Sequence, residues 1–122
     1  MTYSEKLKDP RWQKKRLEIF ERDNWTCQLC GDNKASLVVH HQDYFPNTNP
    51  WDYPSEYLIT ICEDCHNIET NMRPEIEQEV LINIRLAKVN ALGLKVLAYI
   101  SLKHRGELTD LLRKYIEEYK SL

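Results

Sequence analysis

A chain of 122 residues, 42% hydrophobic and 30% charged, has the composition of a folded globular protein rather than a disordered tail. Its formal net charge of −2 weighs against a strong non-specific nucleic-acid binder, although the distribution of charge matters more than the sum. No stretch approaches the roughly 18 apolar residues of a membrane span, and Met1-Thr2-Tyr3-Ser4-Glu5-Lys6 lacks the pattern of a signal peptide. The expectation is a cytoplasmic protein with no membrane partner, where paired CxxC units mean metal more often than disulfide.

Asp9-Pro10 opens the first readable helix, with aspartate as N-cap and proline in the first turn. The helix is predicted over residues 9–22, with Trp12, Leu17, Ile19 and Phe20 available for burial. Lys6, Lys8, Arg11, Lys14, Lys15, Arg16 and Arg22 crowd this end, diluted by Glu5, Asp9, Glu18 and Glu21, so the face is either solvated or in contact with phosphates. Asp23-Asn24 stops the helix and delivers the chain to Cys27-Gln28-Leu29-Cys30-Gly31. Residues 37–41 and 58–61 read as the strands of a hairpin. The loop over residues 42–57 carries three prolines and five aromatic residues, and Trp51, Tyr53 and Tyr44 are expected to fold over the hairpin. A short helix from Cys65 should carry His66, Ile68 and Glu69 to about Met72, and Pro74 restarts the chain.

Beyond that point Ile76, Val80, Ile84, Ala87, Ala91, Leu94 and Ala98 recur at spacings of three and four, an amphipathic stripe that Gly93 either bends or breaks. Lys103-His104-Arg105-Gly106 reads as a helix end, with cations in the last turn, a capping histidine and glycine just beyond. A final helix presents Leu108, Leu111, Leu112, Tyr115, Ile116 and Tyr119 on one face. The division expected is one unit over residues 1–72 and a helical extension over 73–122.

Cys27, Cys30, Cys62 and Cys65 offer four thiolates, which suits tetrahedral zinc in a closed, structural site. Gly31 suits the left-handed position that such turns often need. Residues 31–61 separate the pairs, so a hairpin with a long loop must fit between them. Zinc binding can contribute on the order of 10 kcal/mol to folding so small a unit. The histidines lie just outside the pairs: His40-His41 end the first strand, and His66 follows Cys65. Adjacent strand residues point to opposite faces, so if the strand ends there, one of the pair can bind a metal while the other faces a substrate. The alternative is that the histidines pack against or brace the zinc site.

In combination and order, Cys27-x-x-Cys30, Val39-His40-His41, Leu58-Ile59-Thr60-Ile61-Cys62 and Cys65-His66 resemble the HNH nucleases over residues 9–69. Pro50-Trp51-Asp52-Tyr53-Pro54 is similar to one bacterial and phage branch of that family. The resemblance implies an α+β protein: a small zinc-stabilised ββα-metal, treble-clef-like unit with an N-terminal helix and a C-terminal helical extension. It implies His41 as general base and His40 and His66 as ligands of a catalytic divalent ion, with DNA as substrate. Where the family carries a bracing asparagine before the second strand, this chain has Tyr57, with Asn47, Asn49, Ser55 and Glu56 nearby.

Phosphodiester hydrolysis needs an activated water, stabilised phosphoryl charge and a supported leaving oxygen. A neutral histidine with a pKa of about 6.5 suits the first task, and one divalent ion suits the others; two imidazole ligands admit Zn, Ni, Mn or Mg. The expected function is therefore metal-dependent DNA endonuclease. The alternative from another class is a catalytically weak or inactive zinc-stabilised DNA-binding or adaptor module. The apolar stripes of the C-terminal half need either the first helix, giving a monomer, or a second copy, giving a homodimer, with the dimer preferred.

Overall fold

The structure is a computed structural model describing residues 1–121, and it is mixed α+β. The elements are α1 (Tyr3–Leu7), α2 (Pro10–Arg22), β1 (Leu37–His41), β2 (Leu58–Cys62), α3 (Glu63–Asn71), α4 (Arg73–Leu86), α5 (Ala91–Lys103) and α6 (Arg105–Lys120), with 3-10 turns at Pro50–Asp52 and Ser55–Tyr57. Two compact units result, Met1–Glu75 and Ile76–Leu122. No described helix is long and apolar enough to cross a membrane.

In the first unit, α1 forms because Thr2 and Glu5 make a reciprocal capping box. Asp9 caps α2 by accepting from the Arg11 N–H at 2.8 Å, with Pro10 in the first turn. Trp12, Ile19 and Phe20 are buried on one face of this helix. Leu17, expected beside them, is 54% exposed, because five residues past Trp12 the helix has turned it away from the core. At the end of α2, Asn24 and Trp25 both adopt a left-handed φ of 54°, and the Trp25 ring stacks on Phe20 at 5.0 Å.

β1 and β2 pair antiparallel in the register Leu37↔Cys62, Val38↔Ile61, Val39↔Thr60, His40↔Ile59 and His41↔Leu58. Directly opposed residues share a face. Val39 and Leu58 join Trp12, Ile19, Phe20 and Tyr53 in the main core, while Ile61 packs with Cys27 and Cys62 in a second cluster. The long loop is held by its own side chains. Pro50 and Tyr53 are buried, the Tyr53 hydroxyl accepts from the Phe45 N–H at 3.0 Å, and the Arg11 guanidinium lies 4.1 Å over the half-buried Trp51 ring. Tyr44 covers the hairpin only by stacking on His41 at 5.8 Å, and it stays 65% exposed. α3 starts at Glu63 rather than Cys65, because Cys62 itself is the N-cap.

The end of α2 is latched to β2 by polar groups. Asp23 accepts from Arg22 at 2.9 Å through both carboxylate oxygens and from the Thr60 N–H at 3.0 Å, while Arg22 donates to the carbonyls of Ser55 and Leu58, both at 2.7 Å.

In the second unit the helix break falls before Gly93, not at it. Lys88 takes a left-handed φ of 63°, and Asn90 caps α5 by accepting from the Gly93 N–H at 2.8 Å. A Cβ at Gly93 would meet Val89 Cγ1 at 2.9 Å, so this glycine serves close approach rather than bending. His104 ends α5 and precedes α6, and its Nδ1 lies 2.8 Å from Glu107 Oε2. Gly106, expected outside a helix, is the second residue of α6. No residue of α4, α5 or α6 is buried.

The Asp23 latch carries a stability prediction. Burial alone would raise the Asp23 pKa, but Arg22 and Thr60 outweigh it and hold the carboxyl below its usual range. A carboxyl depressed in the folded state contributes fully above its unfolded pKa of about 3.9, and that contribution is lost as pH falls through the folded value. Asp23→Ala is expected to cost about 2–3 kcal/mol at pH 7, with the gap to the parent chain closing in acid. Urea melts at both pH values check this; a variant as stable as its parent at pH 7 would contradict it.

Candidate metal centre and histidine cleft

Two turns of similar build bring the cysteines together. In the first, the Cys30 N–H approaches Cys27 Sγ at 3.5 Å, and Gly31 takes a φ of 82° while donating to the Cys27 carbonyl at 2.9 Å. The left-handed position expected of Gly31 is thus observed. In the second, the Cys65 N–H approaches Cys62 Sγ at 3.4 Å. The Gln28 N–H donates to the Thr60 carbonyl at 2.9 Å, tying the first turn to β2. All four Sγ atoms lie within 4.8 Å of one another.

The Cys30 and Cys62 sulfurs are 3.7 Å apart. That separation is far from a disulfide's roughly 2.05 Å. It matches the about 3.8 Å between two sulfurs bound at about 2.3 Å to one tetrahedral ion. The donor set therefore fits a metal such as zinc. Electrostatics agree. Burial opposes ionisation of Cys27, but N–H donors from Cys30, Cys62 and Leu29 hold it down to about 7. Burial and neighbouring thiols push Cys65 up. Four sulfurs this close ionise together only around a cation.

The three histidines line one cleft of about 440 Å³, together with Tyr3, Leu7, Trp12, Arg16, Val38, Val39 and Tyr44. β1 supplies His40 and His41, and α3 supplies His66. His40 and His66 meet edge to face with ring centroids 5.4 Å apart. His40 is half-buried, and its pKa is lowered first by burial and then by His66, with Arg73 adding and Glu69 opposing. His41 takes the opposite face of the strand and is 6% exposed. Its ring stacks on Trp12 at 5.1 Å, meets Tyr53 edge-on at 4.6 Å and lies 5.8 Å from Tyr44. The alternation expected of a strand is kept, yet the strand end lets both rings reach the cleft.

Burial lowers the His41 pKa, a hydrogen bond with the Pro50 backbone opposes this, and His40 lowers it further. Nε2 of His41 is buried with no hydrogen-bond partner. The turn that presents Pro50 is braced by Asn49: its side-chain amide donates to Asp52 Oδ2 at 3.0 Å and its carbonyl accepts from the Asp52 N–H at 2.9 Å. Of Asn47, Asn49, Ser55 and Glu56, Asn49 is the one whose side chain closes this turn. The signal readable in sequence is an Asn-Pro-x-Asp turn.

The basic residues of α2 sort by partner. Arg11 pairs with Asp9, Arg22 with Asp23, and Lys15 donates to Ser55 Oγ at 2.9 Å. Arg16 donates to Gln13 Oε1 at 2.6 Å and lines the histidine cleft. His104 lies in the second unit, apart from the cleft residues in sequence and element.

Comparison of the chain with models of known protein families, with curated proteins and with solved structures finds no match in any of the three.

The thiol geometry predicts the outcome of a zinc titration. The reduced chain should take up about one tightly held zinc with release of protons, because the thiols ionise on binding. Cys30→Ser should weaken uptake. Four cysteines still reactive toward a thiol reagent after zinc addition would rule the site out.

Proposed function

We propose that the chain is an HNH-type, metal-dependent endonuclease that hydrolyses DNA phosphodiester bonds, built on a ββα-metal unit with a structural zinc on Cys27, Cys30, Cys62 and Cys65. The observation that carries this reading is the state of His41. Its ring is wedged among Trp12, Tyr53 and Tyr44, and its buried Nε2 is unpartnered. Leaving such an atom unsatisfied costs about 1–3 kcal/mol, a cost that accords with a group kept for chemistry.

In this reading His41 is the general base. In the tautomer with its proton on Nδ1, Nε2 carries the lone pair that takes a proton from the attacking water. The lowered pKa keeps the ring neutral and ready. In this conformation Nε2 is closed to solvent, and the exposed Tyr44 ring is the neighbour that can give way to admit water and substrate. His40 and His66 would hold a divalent ion, Mg, Mn, Ni or Zn, and their facing rings fit that role. Bound there, the ion supplies Lewis acidity for the phosphoryl oxygens and the leaving group.

The second unit is proposed as the place where two copies of the chain pair. Helices of 13 to 16 residues are marginal alone in water, and α5 and α6 expose Leu94, Val96, Leu97, Leu108, Leu111, Tyr115 and Ile116. A twofold pair would bury that surface. Light scattering at micromolar concentration is expected to exceed the 14.6 kDa of one chain, and a single species at that mass would exclude pairing.

The test of function is incubation of supercoiled plasmid with zinc-loaded protein and each of Mg, Mn, Ni and Zn in turn. Cleavage is expected with at least one ion. His41→Ala should lose roughly 10²–10⁴-fold in rate while keeping zinc, and His40→Ala or His66→Ala should be partly rescued by excess ion. Binding without cleavage in every ion would favour the alternative, a zinc-stabilised DNA-binding module without turnover. Absence of both would leave an adaptor.

A further inference from the structure

We infer that Arg16 is the phosphate clamp of the histidine cleft, the residue whose guanidinium holds a non-bridging oxygen pair of the DNA backbone beside His41; this rests on the nuclease reading above. Arg16 is the cationic side chain of a cleft that no acidic side chain lines. It stands one helical turn from Trp12, so the two share a face of α2, and the Trp12 ring is the one against which His41 is stacked.

The partners of the other arginines in the first unit set Arg16 apart. Arg11, Arg22 and Arg73 each lie within 3.0 Å of a carboxylate, from Asp9, Asp23 and Glu69 respectively. Their charge is neutralised before any ligand arrives. Among the described residues no carboxylate pairs with Arg16. Its Nη1 donates to a neutral amide oxygen, Gln13 Oε1, at 2.6 Å, and its guanidinium carbon lies 5.5 Å from the centroid of the Phe20 ring. These two contacts orient the fork without cancelling its charge, and the remaining N–H donors are left for an incoming anion. A planar, always-charged fork matches two phosphate oxygens in a way that an ammonium does not. In a chain of net charge −2, an acid-free cleft with an unneutralised guanidinium concentrates positive potential where the reaction needs it.

The experiment is DNA binding by the zinc-loaded full chain without added divalent ion, followed by fluorescence anisotropy of a labelled duplex at several salt concentrations. Arg16→Met keeps the apolar stem over Phe20 and removes the charge; Arg16→Lys keeps the charge and loses the fork. Arg16→Met is expected to weaken binding roughly tenfold and to reduce the salt slope by about 1. Arg16→Lys should restore the slope but only part of the affinity. Arg11→Ala, whose charge is already paired, should change neither. Wild-type affinity and slope in Arg16→Met, with cleavage by the parent chain intact, would overturn the clamp and leave the nuclease reading standing. Absence of binding and cleavage in the parent chain would overturn both. Loss of zinc and of the thermal transition in both Arg16 variants would make Arg16 a structural residue and overturn the clamp as well.

Discussion

The first unit depends on the register of its two short strands. With Leu37 opposite Cys62 and His41 opposite Leu58, one end of the ladder reaches the cysteine cluster and the other opens on the cleft. A slip of one residue would reverse every side chain. His40 would then enter the core beside Trp12, and His41 would face α3. Two strands alone are marginal in water, so the register needs outside support. The cysteine turns supply it at one end, through the Gln28–Thr60 backbone bond and the four sulfurs. The Asp23–Arg22 latch and Tyr53 supply it along the face that meets α2.

That arrangement keeps the cysteine cluster and the imidazoles apart within one small unit. The sulfurs gather around the N-cap of α3 and are tied down by backbone N–H groups. The imidazoles sit at the strand end and one turn into α3, where the chain is fixed but side chains still reach a cavity. The aromatic loop has a matching purpose. It buries Pro50 and Tyr53 to build a wall for His41, and the Asn49–Asp52 bond closes the turn that carries Pro50.

Much of this was legible because the signals are local. Asp9-Pro10 marks a helix start through capping geometry, and the apolar runs ending in His41 and Cys62 mark strands through their flanking turns. The α+β character follows from these elements. What escaped depends on side chains acting out of type. Cys62 serves as an N-cap, which moves the start of α3 to Glu63. Lys88 adopts a left-handed conformation, which places the helix break ahead of Gly93. Leu17 and Tyr44 are apolar or aromatic yet exposed, since composition gives no phase to a helix face or a loop. Asn49 was visible as a residue, but its bond to Asp52 depends on a turn that periodicity cannot reveal. Which arginine lacks a carboxylate is likewise a fact of three-dimensional pairing.

In the proposed function His40 and His66 hold a divalent ion beside His41, separate from the thiolate site. Histidine-detected NMR on the zinc-loaded protein, titrated with manganese(II), addresses it directly. A nuclease centre of this kind predicts selective paramagnetic broadening of the His40, His41 and His66 ring signals at low ion concentration, while the His104 ring stays sharp. Broadening of His104 alone, or equal broadening of all four rings, would contradict it.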